Sequence, residues 1–292
     1  MNSIALAEKY QPLLDEIYQN ASVTADLEKG TEVQFDGTKT VKVLKLVLPS
    51  LGEYSRNSGF TNGDVEASWE PWTLTQDRGR EFNIDAMDDE ETLNMTFGKA
   101  VSEFIRTKVV PQVDTYRFAT LASVEGISTV AGAVLDDGTK VVKAISVGMS
   151  KMDEDEVPLE GRILYITPSL LRSVDDLDTT KSREVLKSFA KIVKVPQSRF
   201  YTKARYNETT KEIEKDTGAV DINFMIIHPS AVKAIAKHTE LRIFLAKGDD
   251  GTGANKNQDA DAHKFQYRIY HDVFAYANKV AGIYLHKVPV SA

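Results

Sequence analysis

The stretches V-K-V-L-K-L-V-L (Val41 to Leu48) and W-T-L-T-Q-D-R-G-R-E-F-N-I-D (Trp72 to Asp85) decide how this chain is read. Both are strand-like, and a polar, glycine-bearing tip separates them. The first alternates valine and leucine with Lys42 and Lys45. The second alternates Thr, Gln, Arg and Glu with Leu74, Phe82 and Ile84, so each is at best half-buried. A two-stranded ribbon is marginal in water, and nothing adjacent in sequence is built to cover this one. It must lie on the rest of its own chain or on another copy, which makes assembly the first functional expectation. The tip ends in W-E-P-W, which holds both tryptophans, Trp69 and Trp72. Large aromatics on an element without its own core suit an interface anchor. The competing reading folds them back onto their own body.

Bulk properties narrow the classes. At 292 residues with 42% hydrophobic content, the chain suits one large domain or two modest ones with a real core. The absence of cysteine removes disulfides, thiolate nucleophiles and cysteine-based metal sites, so packing alone must hold the fold. A net charge of −7 argues against a surface built to grip nucleic acid phosphates. No signal sequence and no apolar run of membrane-spanning length is present, which fits a cytosolic protein.

Outward from the ribbon, Ile4 to Tyr18 spaces Leu6, Tyr10, Leu13, Leu14, Ile17 and Tyr18 by threes and fours around Pro12, a short amphipathic arm kinked or broken at the proline. Asp88 to Val110 carries Leu93, Phe97, Ala100, Val101, Phe104, Ile105 and Val109 as one stripe. Acids at its start and Arg106 and Lys108 at its end suit the helix dipole. Pro111 then permits a second helical stretch through Leu121. A short echo follows: R-I-L-Y-I-T-P-S-L-L-R-S-V (Arg162 to Val174) and N-F-M-I-I-H-P-S-A-V-K-A-I (Asn223 to Ile235) each read as a buried strand, then Pro-Ser at a helix start. This predicts an α/β body. Between the copies, Thr180 to Val193 reads as a helix and Arg199 to Tyr206 as an edge strand. Lys247 to Ala262 reads as a mobile loop. F-Q-Y-R-I-Y-H-D-V-F-A-Y and V-A-G-I-Y-L-H-K-V read as a terminal hairpin joined near Asn278.

Chemistry is sparse. Gly248, Gly251 and Gly253 lack the lysine and the strand-to-helix context of a phosphate loop. Asp249, Asp250, Asp259, Asp261 and His263 do not have calcium-loop spacing. His228 suits a capping contact at a strand end, and His271 and Asp272, adjacent on a strand, point to opposite faces. Ser128 lacks the nucleophile elbow. Asp88, Asp89, Glu90 and Glu91 read as first-turn acids of a helix.

In order, the arm, ribbon, long helix, α/β body and terminal hairpin resemble the major capsid proteins of tailed bacteriophages, with the Hong Kong ninety-seven capsid fold. The likeness is carried by G-E-Y-S-R-N-S-G-F (Gly52 to Phe60), L-T-Q-D-R-G-R-E-F-N-I-D (Leu74 to Asp85), V-V-P-Q-V-D-T-Y-R-F (Val109 to Phe118), I-N-F-M-I-I-H-P-S-A-V (Ile222 to Val232) and F-Q-Y-R-I-Y-H-D (Phe265 to Asp272). It looks towards capsid proteins from long-tailed phages of Gram-positive bacteria. The resemblance implies an α+β fold with an N-terminal arm over 1–30, an extended β-hairpin loop over 31–86 and a peripheral domain whose spine helix spans 87–124. A mainly axial domain follows over 125–264, then a terminal β-hairpin over 265–292.

It further implies hexamers and pentamers that tile an icosahedral shell around double-stranded DNA, held without sequence specificity. A portal is implied too, and a separate scaffolding protein, because the chain opens at Met1 directly with the arm. Assembly would take place in the host bacterial cytoplasm and the product would reside in the virion, with no membrane, cofactor, metal or catalytic residue. The candidate subunit-interface residues, all on the ribbon, are Trp69, Trp72, Tyr54, Arg56, Phe60, Arg78 and Arg80. The alternatives are an encapsulin-like bacterial shell around an enzyme cargo and, further off, a small α/β enzyme.

Overall fold

The computed structural model describes residues 18, 21–29, 34–36, 40–47, 49, 52–54, 56, 60, 63–64, 66–85, 95–130, 132–177, 179–244 and 262–289. The amphipathic arm before Tyr18, the acids Asp88 to Glu91 and residues 247–261 of the glycine-bearing loop lie outside them.

The ribbon is an antiparallel ladder of β2 (Thr40–Val47) on β3 (Glu66–Thr73), with β1 (Gln34–Asp36) on the other side of β2. Its second strand comes from Glu66–Thr73, mostly ahead of the run Trp72 to Asp85 that the sequence pattern suggests. Trp72 to Asp85 is not one strand: the chain turns at Leu74 and Thr75 and starts β4 (Gln76–Asp85) in a different sheet. The break has a local cause. Leu74 is buried, and Thr75 donates its N–H and hydroxyl to the Asp272 carboxylate at 2.8 and 2.9 Å, which pins the joint.

The long helix is α1 (Met95–Phe104), a π-helical turn at Ile105–Val109, and α2 (Val110–Ala122), running on without a break. Proline within an α-helix clashes with the carbonyl four residues back, and a widened turn relieves that clash. The π-helical turn lies immediately before Pro111. The expected stripe is present in Val101, Ile105 and Val109. With Val110 and Val113 it packs on Phe265, Tyr267 and Ile269.

The body is a five-stranded mixed sheet of β5 (Ser128–Val130), β6 (Ile163–Ile166), β7 (Lys191–Lys194), β10 (Ile222–Ile227) and β13 (Ile283–Lys287), in the order β5-β13-β10-β6-β7. A separate hairpin pairs β8 (Ala204–Asn207) with β9 (Glu212–Lys215). On one face of the sheet lie α3 (Gly138–Glu154), α4 (Pro168–Asp175) and α5 (Thr180–Lys187). They cover Leu164, Ile166, Phe224, Ile226 and Tyr284. The other face sends Ile163, Tyr165, Met225, Ile227, Ile283 and Leu285 against Phe118 and Leu121 of α2. Alternation of two with both faces covered gives the continuous apolar runs seen in sequence. At Gly148 a Cβ would stand 2.7 Å from the Tyr284 ring, so glycine lets α3 approach β13.

Four sequence expectations change. The first echo copy runs from β6 into helix α4 as expected. The second leaves β10 through a single turn at Pro229–Ala231 and becomes β11 (Val232–Phe244), because pairing with β12 (Ala262–Ala275) outweighs local helix preference. Thr180 to Val193 divides into α5 and β7. Arg199 to Tyr206 is a turn followed by β8. The terminal hairpin does not form: β12 lies between β11 and β4, while β13 pairs with β10 and β5 in the other sheet.

Candidate assembly surface

Along β3, Trp69 and Trp72 are three residues apart, so they face opposite sides of the ribbon. Trp72 is 6% exposed and stacks on Phe274 with ring centroids 4.8 Å apart and planes 15° apart. It also meets Tyr276 at 4.9 Å, within a cluster of Val41, Val43, Leu74, Ile235 and Tyr270. The expectation that both tryptophans project as anchors is therefore corrected: Trp72 fastens the ribbon root to its own body. Trp69, opposite Leu44 in the ladder, stands 52% exposed. Among the described residues β3 pairs only with β2, so Trp69 lies on an edge strand whose outer backbone groups remain available for pairing.

Nearer the tip, Tyr54 and Phe60 are 62% and 88% exposed, and their rings touch each other at 4.9 Å. Arg56, between them in sequence, is exposed. Arg78 and Arg80 belong elsewhere: they share one face of β4, on the sheet behind the root. The Arg78 guanidinium lies 3.9 Å over the Tyr206 ring. Together they border a cleft of about 600 Å³ between β4, β12, the π-helical turn and the β8–β9 hairpin. The seven candidate residues thus fall at the root, flank and tip of the ribbon and in a cleft beside it.

Two buried polar clusters escaped the sequence reading. Asp114 is fully buried and accepts from the hydroxyls of Thr24 (2.7 Å) and Ser22 (2.8 Å), and from the N–H groups of Thr24 and Val23 at 3.3 Å. Arg117, one turn on, donates to the Thr24 hydroxyl (2.9 Å) and to Glu28 (2.6 Å). Lys233 donates to the Glu28 carbonyl at 2.7 Å. Burial pushes the Asp114 carboxyl above the usual carboxylate range, against the lowering effect of the Thr24 and Ser22 hydroxyls and Arg117. This cluster clamps residues 22–28 to the long helix. The available signal was the series Val110, Asp114, Arg117, Leu121, at spacings of four, three and four, which puts a charged pair on an otherwise apolar helix face.

The second cluster holds the ribbon root. Tyr116 donates to Asp272 at 3.1 Å and shares a hydrogen bond with the Thr75 hydroxyl at 3.1 Å. The Tyr116 ring also meets the edge of His271 at 5.5 Å. His271 is 1% exposed, and its Nδ1 has no hydrogen-bond partner. Burial, together with Arg117 and Arg78 nearby, lowers its pKa to about 3, so it is neutral at physiological pH. His228 plays the expected capping role, its Nδ1 accepting from the Ser230 N–H. Among the described residues no group of acids and histidines is placed to hold a metal ion, and no helix is long and apolar enough to cross a membrane.

By sequence the chain matches no family profile and no curated protein. By structure it is similar to the capsid of cyanophage P-SCSP1u (TM-score 0.56, 14% identity, 88% of this chain and 85% of that one). It is similar to the capsid of Staphylococcus phage Andhra (TM-score 0.56, 10% identity, 90% and 83%). It is also similar to a virus-like particle from Pyrococcus furiosus (TM-score 0.53, 10% identity, 93% and 98%). The chain has the α+β fold of tailed-phage capsid proteins.

Proposed function

We propose that this chain is the major capsid protein of a tailed phage, a structural rather than catalytic protein that assembles into hexamers and pentamers of an icosahedral head. The observation that carries the reading is that the likeness to phage capsids covers 88% and 90% of this chain and 85% and 83% of theirs. The ribbon supports it physically. Its root is fastened to its own body, while its flank and tip present Trp69, Tyr54 and Phe60 to solvent. A projecting element with exposed aromatics makes heterologous contacts, which close into rings and then shells.

In this reading 1–30 is the arm, 31–86 the extended loop, 87–124 the spine helix of the peripheral domain, and 125–264 mainly the axial domain. Partners are other copies, a scaffolding protein, a portal, and packaged double-stranded DNA held without sequence preference. The site of assembly is the host cytoplasm and the destination the virion. The net charge of −7 suits a wall that confines DNA rather than gripping it.

The test is expression of the chain with the neighbouring genes of its genome, followed by light scattering and negative-stain microscopy. Closed particles of uniform diameter are expected. A compact monomer under every combination would overturn the assignment, and particles that carry an enzyme and never DNA would move it to a cargo-enclosing shell.

A further inference from the structure

Strand alternation sorts the charges of β4 onto two faces. Asp77 and Glu81 take one face and are met by cations of the neighbouring strand β12, Arg268 donating to Asp77 at 2.7 Å and Lys264 lying 3.3 Å from Glu81. Arg78, Arg80 and Phe82 take the other face, which lines the cleft of about 600 Å³, and Lys108 and Lys211 join them there. Among the described residues lining it Glu212 is the one acid, and it is already paired with Lys108 at 2.8 Å. Arg78 rests on neutral groups, the Gln76 amide oxygen at 3.0 Å and the Tyr206 ring. Among the described residues no ion pair holds Arg80 or Lys211. A chain with 43 acids and 36 bases thus leaves uncompensated positive charge at one concave place.

The rest of the lining is aromatic. Phe82 meets Phe104 at 4.7 Å with ring planes 72° apart, and Tyr267 meets Phe104 edge-on at 6.1 Å. His271 also lines the cleft, 1% exposed and with its Nδ1 unpartnered. The β8–β9 hairpin forms the facing wall, tied across by the Lys108–Glu212 and Arg78–Tyr206 contacts. An apolar concavity with a few convergent polar groups is the form of a small-molecule site. We propose that this cleft binds a small aromatic dianion, of the chemical class of the mononucleotides, with its ring over Phe82 and Phe104 and its charged group between Arg80 and Lys211. The two unpaired cations set the charge, and the aromatic rings set the flat body that carries it. A neutral imidazole has one donor and one acceptor, so a ring heteroatom of the ligand is the group that meets the orphaned His271 nitrogen.

Adenosine 5′-monophosphate is the probe, titrated calorimetrically into the full-length free subunit at neutral pH. One saturable site per chain is expected, with adenosine alone and inorganic phosphate alone each weaker by about tenfold or more. Arg80→Gln with Lys211→Gln should weaken nucleotide binding by about tenfold or more and leave subunit Tm unchanged. Lys140→Gln with Lys143→Gln, on the exposed face of α3, should leave binding as it is in the parent. Absence of a saturable site overturns the proposal. An equal loss from the two double variants also overturns it, since that marks diffuse attraction to surface charge. Nucleotide binding untouched by the loss of Arg80 and Lys211 overturns it by placing the ligand elsewhere. The titration requires no particle, so its failure leaves the assembly reading standing.

Discussion

His271 has a pH signature of its own. Its folded pKa, about 3, lies well below the ordinary 6.5, so below pH 6.5 the unfolded chain binds a proton that the native state refuses. Stability is therefore complete above pH 6.5 and declines as pH falls towards 3, by about 2 kcal/mol at pH 5. Urea unfolding of the free subunit between pH 8 and 4 should show this slope, and His271→Gln should flatten it; an unaltered slope would assign the acid sensitivity elsewhere. Asp114 makes a sharper prediction. Asp114→Ala leaves Arg117 buried with one charge partner fewer and strips the acceptor from residues 22–24, at a cost of about 3–5 kcal/mol in chemical denaturation. A loss under 1 kcal/mol would mean the arm segment is not held there. Both residues are polar groups made costly by burial, and burial depends on neighbours distant in sequence.

Among the elements, the ribbon separates two tryptophans that the sequence sets side by side. Trp72→Ala removes a ring from a packed cluster and should cost the isolated subunit about 3–5 kcal/mol. Trp69→Ala should change its stability by no more than about 0.5 kcal/mol while reducing particle yield. Equal effects on folding from the two variants would contradict the division of labour. The same comparison shows what was legible in the sequence. The stripe of Val101, Ile105 and Val109, the strand cores at 163–166 and 222–227, and the first strand of the ribbon follow from periodicity, because burial of one or both faces imposes it. The division of Trp72 to Asp85, the fate of Val232 to Phe244 and the separation of β12 from β13 do not. Each turns on which of two apolar strands is the better partner, a choice made by the whole sheet. The tryptophan geometry was legible: an odd spacing on a strand puts two rings on opposite faces.

For the whole molecule, the proposed capsid role puts one subunit in two settings, alone and among copies, and the ribbon would distinguish them. Hydrogen exchange in the free subunit should show strong protection of β4 and β12, whose ladder belongs to the body, and weaker protection of the β2–β3 ladder. In the assembled state the β2–β3 amides should slow by at least tenfold. Equal exchange in the two states would mean that the ribbon makes no contact between copies. The ladder of β4 on β12 joins residues near 80 to residues near 267, and the Thr75 clasp waits on Asp272. During synthesis the ribbon is made well before its footing, since long-range pairing must await its distant strand. A nascent chain thus holds an unfooted hairpin until β12 and Asp272 emerge, and in the proposed capsid role it lacks until then the rigid projection that contact with other copies would use. The topology ties a rigid ribbon to the emergence of β12.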